Sequence, residues 1–126
     1  MQYVNTEDAP QPAGHYSQAI IHNDLVYVAW QLPVDAVTGT KILGSIEEQT
    51  EKVMQNIDAI LLAAGSSLNN VIKTTVYISD ISLWDKVNDI YARYFKSHKP
   101  ARVVVPTREL HHGFSVEMEV IACLKK

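Results

Sequence analysis

Val71-Ile72-Lys73-Thr74-Thr75-Val76-Tyr77-Ile78 is a run of β-branched and aromatic residues, the composition of a buried strand. It stands between two segments of helical period, and that placement decides the fold. Before it, Ser45 and Glu48 form a capping box, in which the serine hydroxyl and the glutamate each satisfy an orphan amide of the first turn. Ile46, Val53, Ile57, Ile60, Leu61 and Ala64 then fall on one side at helical spacing. Gly65 can take the left-handed conformation that closes a helix. The spacing predicts a helix over 45–64. After the strand, Trp84, Val87, Tyr91, Tyr94 and Phe95 make the apolar stripe of a second helix over about 82–97, which Pro100 stops. Trp84 and Tyr94 read as core.

Further out, the first fifteen residues hold Pro10, Pro12 and Gly14 and read as an extended lead-in. Two short β-rich runs follow, Ser17–Ile21 and Leu25–Gln31, joined by His22-Asn23-Asp24. Asn and Asp tolerate the positive φ of a hairpin turn. Pro33–Gly44 reads as a loop. At the other end, Ala101–Pro106 reads as a strand, Thr107–Gly113 as a loop and Phe114–Leu124 as an alternating strand. Val116, Met118, Val120, Ala122 and Leu124 share one face of it, and Glu117, Glu119, Ile121 and Cys123 the other. Cys123 reads as a small core residue. The order is ββ-α-β-α-ββ. Two helices can cover one face of such a sheet, so the expectation is an α+β two-layer sandwich whose uncovered face packs against another copy.

With 126 residues, 47% hydrophobic and 20% charged, the chain has the size and composition of one folded domain over 1–126. No apolar run reaches the roughly 18 residues of a membrane helix. The first residues, Met1 to Asp8, lack the basic and apolar stretches of a secretory signal, so a cytoplasmic address is the default expectation. The formal charge of −3 argues against a phosphate-backbone partner, which makes nucleic acid an unfavoured ligand. A single cysteine supports neither an internal disulfide nor a cysteine zinc cage. His111 and His112 are adjacent, and in an extended loop their rings diverge; His15, His22 and His98 are scattered. No metal site is expected, and no glycine-rich phosphate loop is present.

Six stretches, in order along the chain, resemble the Rid family of enamine/imine deaminases, also called YjgF-like proteins. They are Gly14-His15-Tyr16-Ser17-Gln18-Ala19, Gln31-Leu32-Pro33-Val34-Asp35 with Thr38-Gly39, the Lys73-Thr74-Thr75-Val76 strand, Val87-Asn88 with Tyr91 and Tyr94-Phe95, Pro100-Ala101-Arg102, and Val116-Glu117-Met118-Glu119-Val120-Ile121-Ala122. The resemblance runs from about Asn5 to the C-terminus. It implies a chorismate-mutase-like fold, a homotrimer with ligand sites in the clefts between subunits, and no cofactor. The implied reaction hydrolyses 2-aminoacrylate, 2-iminobutyrate and related acids to 2-oxo acids and ammonia.

Arg102 is the first candidate for a catalytic and substrate-binding residue. A guanidinium offers a carboxylate two parallel donors and stays charged; the alternative is a surface ion pair. Glu119 is the second, at the place where the family keeps a glutamate held to position or activate water. A raised pKa in a partly buried cleft would suit it to proton transfer, and the alternative is a polar residue satisfied at an interface. Glu117, roughly 7 Å along the same strand face, reads as structural. Tyr16 and Asn88 match residues that line the family's pocket, with a locally bonded plug and a helix-to-loop contact as their alternatives. The chain departs from the family at Ala29-Trp30, where Ser-Gly is usual, so that Trp30 adds an indole to the substrate-binding positions. Val104 stands where many members have cysteine, and its backbone remains available to a ligand. His15 replaces a proline. The leading expectation is a deaminase. The alternatives are a module that binds a small oxo acid or amino acid without turnover and, disfavoured by charge, an RNA-acting protein.

Overall fold

The computed structural model describes residues 1–124. The elements run β1 (Gln2–Val4), β2 (Ala19–His22), β3 (Leu25–Gln31), α1 (Ile46–Ala63), β4 (Val71–Ile78), α2 (Trp84–Phe95), β5 (Ala101–Pro106) and β6 (Val116–Cys123). They form one six-stranded sheet in the order β1-β2-β3-β6-β4-β5. All pairs are antiparallel except β4 with β5, which are parallel and joined by the crossover through α2. The α+β two-layer expectation holds. The lead-in differs from expectation, because Gln2–Val4 pairs with Ala19–Ile21 as an edge strand. Three residues carry too little pattern to be read as a strand; the neighbour makes it one.

The local signals act largely as read. Asn23 and Asp24 have φ of 51° and 63°, which makes the β2–β3 turn the left-handed pair that suits hairpin twist. Ser45 caps α1 by accepting from the Glu48 amide at 3.1 Å. At the other end Gly65 has φ 82°, and Ser66 N–H and Gly65 N–H close back on the carbonyls of Leu61 and Leu62, the pattern of a Schellman cap. The second helical segment differs. Asp80 accepts from Ser82 N–H at 2.8 Å and starts a 3-10 turn, Ile81–Leu83, before α2 proper begins at Trp84.

Both helices lie on one face. Val53, Met54, Ile57, Ile60 and Leu61 of α1 and Val87, Tyr91 and Phe95 of α2 pack with Val26, Val28, Val76, Ile78, Val116, Met118, Val120 and Ala122 of the sheet. Each large side chain here is worth about 1.5–3 kcal/mol of burial. Trp84 is instead more than a third exposed and so is not core, while Tyr94 is half-buried and packs against the core from its rim. Cys123 is likewise half-buried rather than core, because its strand parity places it on the uncovered face.

Candidate active site

The uncovered face owes its shape to an interruption in the β3–β6 ladder. Val28 pairs with Val120 and Gln31 with Met118, so Ala29 and Trp30 together oppose the single residue Glu119. This is a β-bulge, which bends the strand and re-aims a side chain. Trp30 remains 46% exposed, and its ring meets that of Tyr77 at a centroid distance of 4.7 Å. The Tyr77 hydroxyl donates to Glu119 Oε1 at 3.4 Å. Tyr16, Trp30, Leu32, His112, Glu117 and Glu119 line a groove of about 680 Å³. Tyr16 is half-exposed, and its hydroxyl accepts from Ala13 N–H at 3.4 Å. Asn56 of α1 donates to the carbonyls of Leu32 and Val34 at 3.0 and 2.9 Å, which ties the segment after β3 to the helix layer.

Glu117 is 0% exposed, roofed by the 3-10 turn His111–Gly113. One of its oxygens accepts from His111 N–H at 3.3 Å, and the other is buried with no partner. Burial pushes this carboxyl above the usual range, against a smaller opposing pull from the His111 amide. The carboxyl that burial raises here is therefore that of Glu117. In that turn His112 has φ 55°, and the His111 and His112 rings converge to 3.9 Å instead of diverging. The loop is folded, not extended. Burial and then the nearby His111 lower the His112 pKa. Among the described residues no three His, Cys, Asp or Glu side chains gather as metal ligands.

Arg102 stands elsewhere. Its Nη1 donates to Asn88 Oδ1 at 2.8 Å. The guanidinium carbon lies 4.8 Å from the centre of the Tyr91 ring and 5.3 Å from that of Trp84. All three partners come from α2, at successive spacings of four and three residues that keep them on one face of the helix. Tyr91 is fixed in turn by a 2.8 Å bond to Thr74 Oγ1. Val104, two residues on, lines the same small cleft with Val76 and Val87. Arg102 has no carboxylate partner among the described residues, so the surface ion-pair alternative finds no support there. The helix-to-loop alternative for Asn88 is overturned, because it bonds to Arg102. Both rings lie within cation–π distance of the guanidinium.

The sheet separates these two groups. Arg102 pairs with Thr74, which faces the helices, whereas Glu119 pairs with Thr75, which faces away. Within one chain Arg102, Asn88 and Val104 are brought together, as are Tyr16, Trp30 and Glu119, but the sets occupy opposite faces. Trp84, Tyr91, Tyr77 and the His111–Gly113 turn escaped sequence reading as site components. Tyr77 shares strand parity with Thr75, which was a usable signal; its position beside Glu119 and Trp30 depends on cross-strand register, which is not.

Residues 6–124 match the family model described as Endoribonuclease L-PSP. The chain belongs to the L-PSP (YjgF/Rid) family. A RutC family protein of Pyrococcus abyssi is 47% identical over 121 residues, covering 96% of this chain and 95% of that one. The human 2-iminobutanoate/2-iminopropanoate deaminase is 37% identical over 119 residues, covering 94% and 87%. The Escherichia coli protein TdcF, solved with bound serine, superposes with a TM-score of 0.94 at 30% identity, covering 99% of this chain and all of that one. As an L-PSP family member, the chain carries its Pro100-Ala101-Arg102 and Glu117-Met118-Glu119 stretches on neighbouring edges of β4, one on each strand that flanks it. No described helix is long and apolar enough to cross a membrane.

Proposed function

We propose that this L-PSP family protein hydrolyses short enamine and imine acids to 2-oxo acids and ammonia, in a site assembled between copies of the chain. The observation that carries the reading is Arg102, a cation with no carboxylate partner among the described residues, set against two rings and held by Asn88. Such a fork suits a small carboxylate. Human and plant relatives named as deaminases support the chemistry.

The reaction needs only water. A proton adds to C3 of CH2=C(NH2)–COO⁻ and one leaves nitrogen, giving the imine. Water then adds to C2 as the C=N π-bond opens, and the resulting carbinolamine expels ammonia to leave the C2 carbonyl. Arg102 fixes the carboxylate and so the position of C2. Glu119 orients the water and takes its proton. Tyr16 and Trp30 bound the side-chain end, and Val104 lies beside the clamp. Because the sheet separates Arg102 from Glu119, one substrate reaches both only when a second copy brings its edge strand to the groove of the first, as a closed homotrimer would.

The test generates 2-aminoacrylate with a serine dehydratase, traps the free intermediate with semicarbazide, and follows pyruvate. Wild type is expected to outrun the trap, and Arg102→Lys, which keeps charge but loses the fork, to lose most of that advantage. Unchanged turnover in Arg102→Lys overturns the clamp. A second reading, binding without turnover, takes support from the serine-bound relative; binding of 2-oxobutyrate with no gain over the trap would favour it.

A further inference from the structure

The β-bulge gives the groove a feature that the deaminase chemistry above leaves unused. Tyr77 is half-buried, and its ring is already satisfied by packing on Trp30. A phenylalanine would pack the same way. The hydroxyl adds a donor to Glu119 Oε1, beside a polar contact with the Trp30 indole. Resting on the assignment of Glu119 to the attacking water, we propose that Tyr77 is a positioning residue that holds the Glu119 carboxylate in its working orientation, with Trp30 bracing the Tyr77 ring.

Three observations carry this. First, Ala29 and Trp30 share one partner position, so the extra residue throws the indole over Tyr77, where a regular ladder would have carried it past. Second, the register sets Tyr77 opposite Glu117 and Thr75 opposite Glu119, so the Tyr77 side chain leans diagonally across to the second carboxylate. Third, Glu119 stands at the groove wall with one oxygen bonded to Tyr77, which leaves the other for water. At 3.4 Å the bond is at the long end of hydrogen-bonding distance. The phenol also stays a donor through the working pH range, because burial and then the Glu119 charge push its own pKa upward. A hydroxyl that keeps its proton suits the task of orienting a carboxylate.

The experiment is a double-mutant cycle on the full-length protein with the semicarbazide-trap assay, using wild type, Tyr77→Phe, Glu119→Gln and the double variant. Tyr77→Phe is expected to lower kcat about three- to tenfold with KM unchanged, and to have less than about a twofold effect in the Glu119→Gln background. An equal loss in both backgrounds, a rise in KM with kcat held, or no change at all would each overturn the positioning role. Should the Glu119→Gln rate fall below detection, the kcat–KM split in the wild-type background decides. Full activity in Glu119→Gln is a different failure: it removes Glu119 from the reaction and takes the underlying reading with it.

Discussion

Two inactive variants of this protein are expected to rescue each other. Arg102→Ala removes the carboxylate fork, and the loss of two charge-assisted hydrogen bonds is worth about 3 kcal/mol or more, at least a hundredfold in rate. Glu119→Gln removes the water-orienting carboxylate and leaves the fork intact. In each chain these residues lie on opposite faces of the sheet, so on the proposed reading a working site takes Arg102 from one copy and Glu119 from its neighbour. In a closed ring assembled from an equal mixture, a site is intact when a Glu119→Gln chain supplies the arginine and an Arg102→Ala chain supplies the glutamate. With unbiased assembly that happens at roughly one half times one half, or about a quarter, of the sites. The assay is pyruvate formation against the semicarbazide trap after the two variants are unfolded together and refolded. Differently tagged chains and native mass spectrometry would confirm that mixed assemblies form. Recovery to about a quarter of the wild-type rate supports the shared site. If mixed assemblies form and the rate stays at the mean of the two variants, both residues act within one chain, and the face argument is wrong.

Two further outcomes bear on the fold. Lys96, the residue after α2, has φ 58° and ψ −122°, a backbone region that favours glycine. Lys96→Gly is therefore expected to stabilise the protein by about 1 kcal/mol, a rise of about 3–5 °C in Tm; a fall in Tm by calorimetry would show that the lysine side chain contributes more than the strain costs. Glu117 has a folded-state pKa raised by burial, so the folded protein binds this proton more tightly than the unfolded chain does. Its contribution to stability is therefore lost as pH rises from the ordinary carboxylate range through the folded value. Glu117→Gln cannot ionise, so its Tm relative to wild type is expected to climb as pH rises above the ordinary carboxylate range. A gap that stays flat or narrows over that range would contradict the buried, half-satisfied carboxyl seen beneath the His111–Gly113 turn.

Much of the framework follows from short-range chemistry. The Asn23-Asp24 turn, the Ser45 cap, the Gly65 stop and the alternation of Val116 to Cys123 are fixed by residues within a few positions of one another, so they can be read along the chain. The same locality places Glu119 on the face the helices leave bare. What local pattern could not supply was register and crossover. β1 exists because β2 offers it an edge. The bulge at Ala29-Trp30 exists only in the pairing of β3 with β6, and it sets the indole against the Tyr77 ring. Trp84 reads as core from its helical spacing, yet it ends at the sheet edge under Arg102. The motif located Arg102 in the sequence, but only the parallel pairing of β5 with β4 decided that it faces the helices while Glu119 faces away. Side-chain parity along one strand is set by the backbone pleat and is legible. Parity between two strands depends on how they are joined and aligned, and that alignment is settled by the burial of the whole apolar face.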